Sequence, residues 1–62
     1  MPLDYAAIGC RLQARRKELG ITQEDAAERV GITVVYLSKI ENGRVHPTLD
    51  LLDRLCCVLE YD

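Results

Sequence analysis

The 62-residue chain has no tryptophan and no phenylalanine, and its only aromatic residues are three tyrosines. A core without large rings must be filled by Leu, Ile, Val, Ala and Cys, a set better suited to close helix packing than to a β-sandwich. Nor is there an apolar run of the roughly 18 residues that a membrane span requires. The N-terminus also lacks the basic-then-apolar layout of a secretory leader. The expectation is a cytoplasmic protein with no membrane partner.

Parts for covalent or metal chemistry are equally scarce. Cys10, Cys56 and Cys57 make neither an even disulfide framework nor a C-x-x-C spacing, so they read as free thiols acting as small hydrophobes. His46 is the single histidine, and no Ser, Cys or paired carboxylate is set by the sequence to work with it. Catalytic residues, metal and cofactor are therefore expected to be none. An excess of positive charge is missing too, the formal net charge being −2. That weighs weakly against nucleic acid, but net charge averages over faces that never meet a ligand, so placement decides.

What is present is the patterning of a small folded domain. Hydrophobic residues make up 48% of the chain and charged residues 29%, well mixed in sign, which excludes a disordered polyelectrolyte. A domain this short buries only about 60% of the surface its unfolded chain exposes, leaving no room for a large active-site cavity.

Helical spacing is legible along the whole length. Tyr5, Ile8, Leu12 and Leu19 recur on one face of a first helix, which Gly20 closes and which holds Arg11, Arg15, Arg16 and Lys17, half of all Lys and Arg. Thr22 starts a second helix with Gln23-Glu24-Asp25, Asp25 being placed to answer the cap, and Gly31 stops it after Ala26, Ala27 and Val30. Thr33 caps a third helix with Leu37 and Ile40 inward, ended by Asn42-Gly43. Thr48 caps a fourth that runs to about Leu59, with Leu49, Leu52, Leu55, Cys56 and Leu59 as its apolar stripe. No segment alternates with period two for the length of a strand. The reading is an all-α bundle of four helices in one domain, residues 1–62, with no repeat or linker. The tight Gly31-Ile32 connection marks a helix-turn-helix unit at about residues 23–42.

The run Ile8-Gly9, Arg16, Gly20-Ile21-Thr22-Gln23, Ala27, Val30-Gly31-Ile32-Thr33, Leu37-Ser38-Lys39-Ile40-Glu41-Asn42-Gly43-Arg44, Pro47-Thr48-Leu49 and Leu52 resembles the Cro/CI-type (lambda repressor-like) helix-turn-helix family of bacterial and phage regulators. The resemblance covers the chain from about Ile8 to Leu59. It implies a domain of five helices, usually a homodimer, that binds double-stranded DNA at a palindromic operator, most often as a repressor. Only four helices are accounted for, so the fifth is expected to be absent or truncated. Relatives more often carry polar base-readers where this chain has Val34-Val35.

The resemblance also assigns roles. Thr22 and Gln23 would meet a phosphate at the start of the second helix. On the third helix Val35, Lys39 and part of Ser38 face outward with Val34 at the edge. Lys39 would meet guanine or phosphate; where the chain departs from its relatives, the outward Val35, with Val34 beside it, is read from its exposure as meeting a thymine methyl. Thr33 and Tyr36 would reach the backbone through their hydroxyls, and Asn42 and Arg44 would follow from the next loop. Arg11 and Arg15 lie on a charged stripe read first as the wet face of its helix. Arg16 and Glu41 are expected to form a structural ion pair locking the first helix to the third. Leu51, Val58 and Tyr61 are expected to contribute to a dimer face. Two other classes share the pattern: an antitoxin-type or accessory protein with a protein partner besides DNA, and an interaction module that has lost the DNA.

Overall fold

The computed structural model describes residues 4–60, which form α1 (Tyr5–Glu18), α2 (Gln23–Val30), α3 (Val34–Glu41) and α4 (Leu49–Val58), with no strand among the described residues. Each helix begins on a short polar side chain. Asp4, Thr22, Thr33 and Thr48 accept hydrogen bonds from the backbone N–H groups of Ala7, Asp25, Tyr36 and Leu51, at 3.1, 3.1, 3.1 and 3.2 Å. Each cap satisfies one otherwise orphaned donor and is worth about 1 kcal/mol. Asp25 does not return the bond to Thr22. Its carboxylate turns to Arg29, one turn on, with a 3.2 Å bond to Nε and NH2 at 3.0 Å. The side chain is a methylene shorter than the Glu of a full capping box.

Three helices end by the same device. The N–H groups of Ile21, Ile32 and Arg44 reach back five residues to the carbonyls of Arg16, Ala27 and Lys39 at 3.1, 3.0 and 2.9 Å. At the α2–α3 turn this geometry requires the left-handed φ of 88° that Gly31 supplies.

The core consists of Leu12, Ala26, Ala27, Val30, Leu37, Ile40, Leu51, Leu55 and Leu59. The two alanines at its centre let α2 lie close to both α3 and α4, while α1 packs on α3. Along α4 the buried side is not the stripe expected from spacing. Leu49 is 80% exposed, whereas Leu51, expected on a dimer face, is only 8% exposed and belongs to the core with Leu55 and Leu59. Val58, assigned to the same dimer face, is half-buried against that core, and Tyr61 lies outside the described residues. Apolar side chains occupy so much of the α4 circumference that spacing alone leaves its rotation open. The neighbours set it: Arg54 donates to the Val30 carbonyl at the end of α2 at 3.3 Å, and Arg15 Nε donates to the Leu59 carbonyl at 3.0 Å. Arg15 thus closes the C-terminal end of α4, where a cation also meets the negative end of the helix dipole.

Helix α1 crosses the end of α3 almost backbone to backbone. A Cβ at Gly9 would run into the carbonyl oxygen of Ile40 and lie 2.8 Å from that of Glu41, and one at Gly43 would lie 2.6 Å from Ala6 Cα. In an ordinary helix interior Gly→Ala stabilises by about 1 kcal/mol. Gly9→Ala should reverse that sign and destabilise the domain by about 1–3 kcal/mol through overpacking, read as a lowered urea midpoint. An unchanged or raised midpoint would show that α1 is not held at this distance.

Candidate nucleic-acid interface

With Leu37 and Ile40 buried, the opposite face of α3 is set by the 100° step between residues. Val35, Ser38, Lys39 and Asn42 follow one another along it at spacings of three, four and seven. Val35 is 66% exposed, an unusual state for a β-branched side chain, and Lys39 and Asn42 are exposed, with Ser38 half-buried beside them. Val34 and Tyr36 are half-buried and lean on the core. Asn42 folds back along the stripe, its Nδ2 donating to the Ser38 carbonyl at 2.8 Å and standing 3.5 Å from Ser38 Oγ.

Both threonines at the helix starts keep a donor free. Thr22 and Thr33 accept the capping N–H through a lone pair, so each hydroxyl hydrogen remains available to a further acceptor. The backbone N–H groups of the first turns of α2 and α3 add positive ends of helix dipoles. Lys39 and Arg44 are exposed and join no ion pair among the described residues.

The α3 stripe itself carries no acid, while Glu24 and Asp25 stand in the first turn of α2. Asp25 pairs with Arg29 and Asp50 with Arg54, both within their own helices. The first turn of α3 has none, and its single acid, Glu41, is buried. A chain of net charge −2 therefore presents an acid-free, locally cationic stripe.

Beneath that stripe lies the one buried charge cluster among the described residues. Arg16 Nε donates to Glu41 Oε2 at 2.8 Å and NH2 to Oε1 at 3.2 Å, while NH1 donates to the Ile21 carbonyl at 2.8 Å. The two side chains are 9% and 1% exposed. The structure thus brings Arg16 and Glu41 together across 25 residues of sequence. It also brings in a third member that spacing did not suggest: Gln23 Nε2 donates to Glu41 Oε1 at 3.0 Å. A Gln at the first helical position three residues from no acid of its own helix face gives no sequence signal for such a contact; only the α2–α3 turn makes it.

Nothing among the described residues competes for this face with other chemistry. No group of three His, Cys, Asp or Glu could hold a metal ion, the three cysteines are free, and no helix is long and apolar enough to cross a membrane.

Comparison with known proteins places the fold in a family. A helix-turn-helix family model, HTH_3, matches residues 12–62. An uncharacterised HTH-type transcriptional regulator of Methanothermobacter thermautotrophicus is 46% identical over 48 residues, a span of 77% of this chain and 70% of the relative. The crystal structure of the clp gene regulator ClgR from Corynebacterium glutamicum superposes with a TM-score of 0.93 at 33% identity, covering 98% of this chain and 65% of that one. The crystal structure of SinR, the master regulator for biofilm formation, in complex with DNA gives a TM-score of 0.80 at 36% identity over 89% of each chain.

Removing one member of the Arg16–Glu41 pair leaves the other as an uncompensated buried charge. Glu41→Ala should cost about 3–5 kcal/mol, seen as a loss of tens of degrees in the thermal midpoint of a domain this small, at about 4–8 °C per kcal/mol. An unchanged midpoint would show that the pair is structurally idle.

Proposed function

Because the chain belongs to the HTH_3 helix-turn-helix family, a family of DNA-binding transcriptional regulators rather than enzymes, we propose that it acts in the cytoplasm as a repressor binding a palindromic operator as a homodimer. The observation that carries this reading is the α3 stripe: an exposed Val35, an unpaired exposed Lys39 and no acid beside them.

In this reading α3 enters the major groove. Val35 lies against the methyl group of thymine, the one apolar feature on a base edge, with Val34 behind it at the core edge. Lys39 donates to guanine O6 and N7 or to phosphate, and Ser38 reaches either base edge or backbone. Thr22, Gln23 and Thr33 hold phosphates at the two helix starts, while Tyr36, Asn42 and Arg44 follow the backbone past the end of α3. Arg44 supplies salt-dependent affinity more than choice of sequence.

One eight-residue helix reaches only a few base pairs. A two-fold pair, with half-sites about 10 base pairs apart, multiplies that short readout into an operator. The surface this assigns to dimerisation is on α4, where Leu49, Leu52 and Cys56 follow at spacings of three and seven, Leu49 exposed and the other two half-buried in the single chain. Such a stripe is self-complementary when a second copy runs antiparallel to it. A partner protein docking on the same stripe is the accessory-protein alternative.

Two outcomes are expected. Selection from a random DNA pool should return a two-fold symmetric site whose affinity falls steeply with salt, and Val35→Ala should relax the preference at one T·A position per half-site by about 1 kcal/mol or more. No binding even at low salt would exclude DNA as the partner, and an unchanged site would remove the thymine assignment. Sedimentation equilibrium should show a dimer that Leu49→Lys dissociates; monomer alone at high micromolar concentration would exclude the homodimer.

A further inference from the structure

The hydrogen bond between Gln23 and Glu41 joins a half-buried side chain at the start of α2 to the buried ion pair of α1 and α3. Glu41 is held by three donors. Arg16 takes both oxygens, Gln23 Nε2 adds a bond to Oε1, and Arg16 is itself anchored on the Ile21 carbonyl. A carboxylate held in this way cannot rotate, and it is only 1% exposed.

This has a directional consequence for Gln23. An ionised carboxylate accepts and never donates, so the amide must turn its NH2 group toward Glu41, because its own oxygen there would face a negative charge at about 3 Å. One of the two amide hydrogens is thereby used. The second makes no hydrogen bond among the described residues, at a helix start where the N–H groups of Gln23 and Glu24 also lack an intrahelical partner. Arg16 meanwhile cancels the charge of Glu41, so the carboxylate that orients the amide does not repel an approaching anion.

We propose that Glu41 is a positioning residue for DNA as well as a structural one: through Gln23 it orders a donor, before binding, toward a phosphate oxygen at the start of α2. Operator binding is thereby linked to the ion pair that docks α1 on α3. A long, flexible amide would otherwise be ordered only on binding, at a cost in affinity. The proposal rests on the DNA-binding reading and adds to it a residue that does not touch the ligand.

A double-mutant cycle on affinity for the selected operator tests it. Gln23→Ala and Glu41→Gln, each first checked for folding by thermal melting, should each weaken binding about tenfold. Among variants that retain the parental fold, the double variant should bind no more weakly than Gln23→Ala alone, because the positioning effect of Glu41 on DNA runs through the amide. Losses that multiply, or full affinity in Glu41→Gln, would overturn the proposal. Two measurements on the unmodified Glu41 protein decide the matter even where that variant does not fold. The side-chain amide of Gln23 in the free protein should show a high nitrogen-15 order parameter, and a mobile amide would overturn the proposal. A neutral methylphosphonate at the phosphate next to α2 should weaken binding of the parent protein more than that of Gln23→Ala, which keeps only the Thr22 and backbone contacts to it; equal losses in both would also overturn it. Absence of salt-dependent binding to any DNA would instead remove the DNA reading on which it rests, a result distinguishable from a failed cycle in a protein that binds.

Discussion

The arrangement of the domain depends on a buried ion pair at a place where two helices touch through their backbones. Glycine at position 9 lets α1 approach the carbonyls of Ile40 and Glu41 without a side chain between. Arg16, two turns further along α1, then reaches Glu41 at 2.8 Å. A buried pair gains little over a well-packed apolar one in net stability, because desolvation offsets most of the attraction. Its contribution is register. With both carboxylate oxygens and the guanidinium donors matched, α1 has one docked position on α3, and a slip along the helix would leave two charges buried without partners.

That register determines what α3 can present. Leu37 and Ile40 are held inward, so Val35, Ser38, Lys39 and Asn42 must face away from the core. The same arrangement resolves the conflict between an acidic chain and an anionic partner. The single acid of α3 is consumed inside, and Asp25 and Asp50 are paired along their own helices. Net charge therefore says little about the field at the α3 stripe, where Lys39 is exposed and the one acid of the helix is buried.

Much of this was legible in the sequence, for a local reason. Caps and stops are contacts between residues three to five apart, so Thr22, Thr33, Thr48 and Gly31 mark helix ends whatever the tertiary context. The outward placement of Val35 and Lys39 followed from Leu37 and Ile40 because that pair, one turn apart, fixes the inward side of α3 and leaves Val35 and Lys39 opposite. Helix α4 was the opposite case. Leu49, Leu51, Leu52, Leu55, Val58 and Leu59 cover so much of its circumference that several rotations bury a plausible stripe, and the sequence reading buried Leu49 in place of Leu51.

The sequence by itself determined the four helices, their ends and the inward face of α3, because hydrogen bonds and periodicity within a turn suffice for these. The tertiary structure alone decided the rotation of α4, the use of Arg15 to close its end, and the entry of Gln23 into the Arg16–Glu41 cluster. These contacts join residues 18 to 44 positions apart. They depend on how rigid helices settle against one another, which no local spacing encodes.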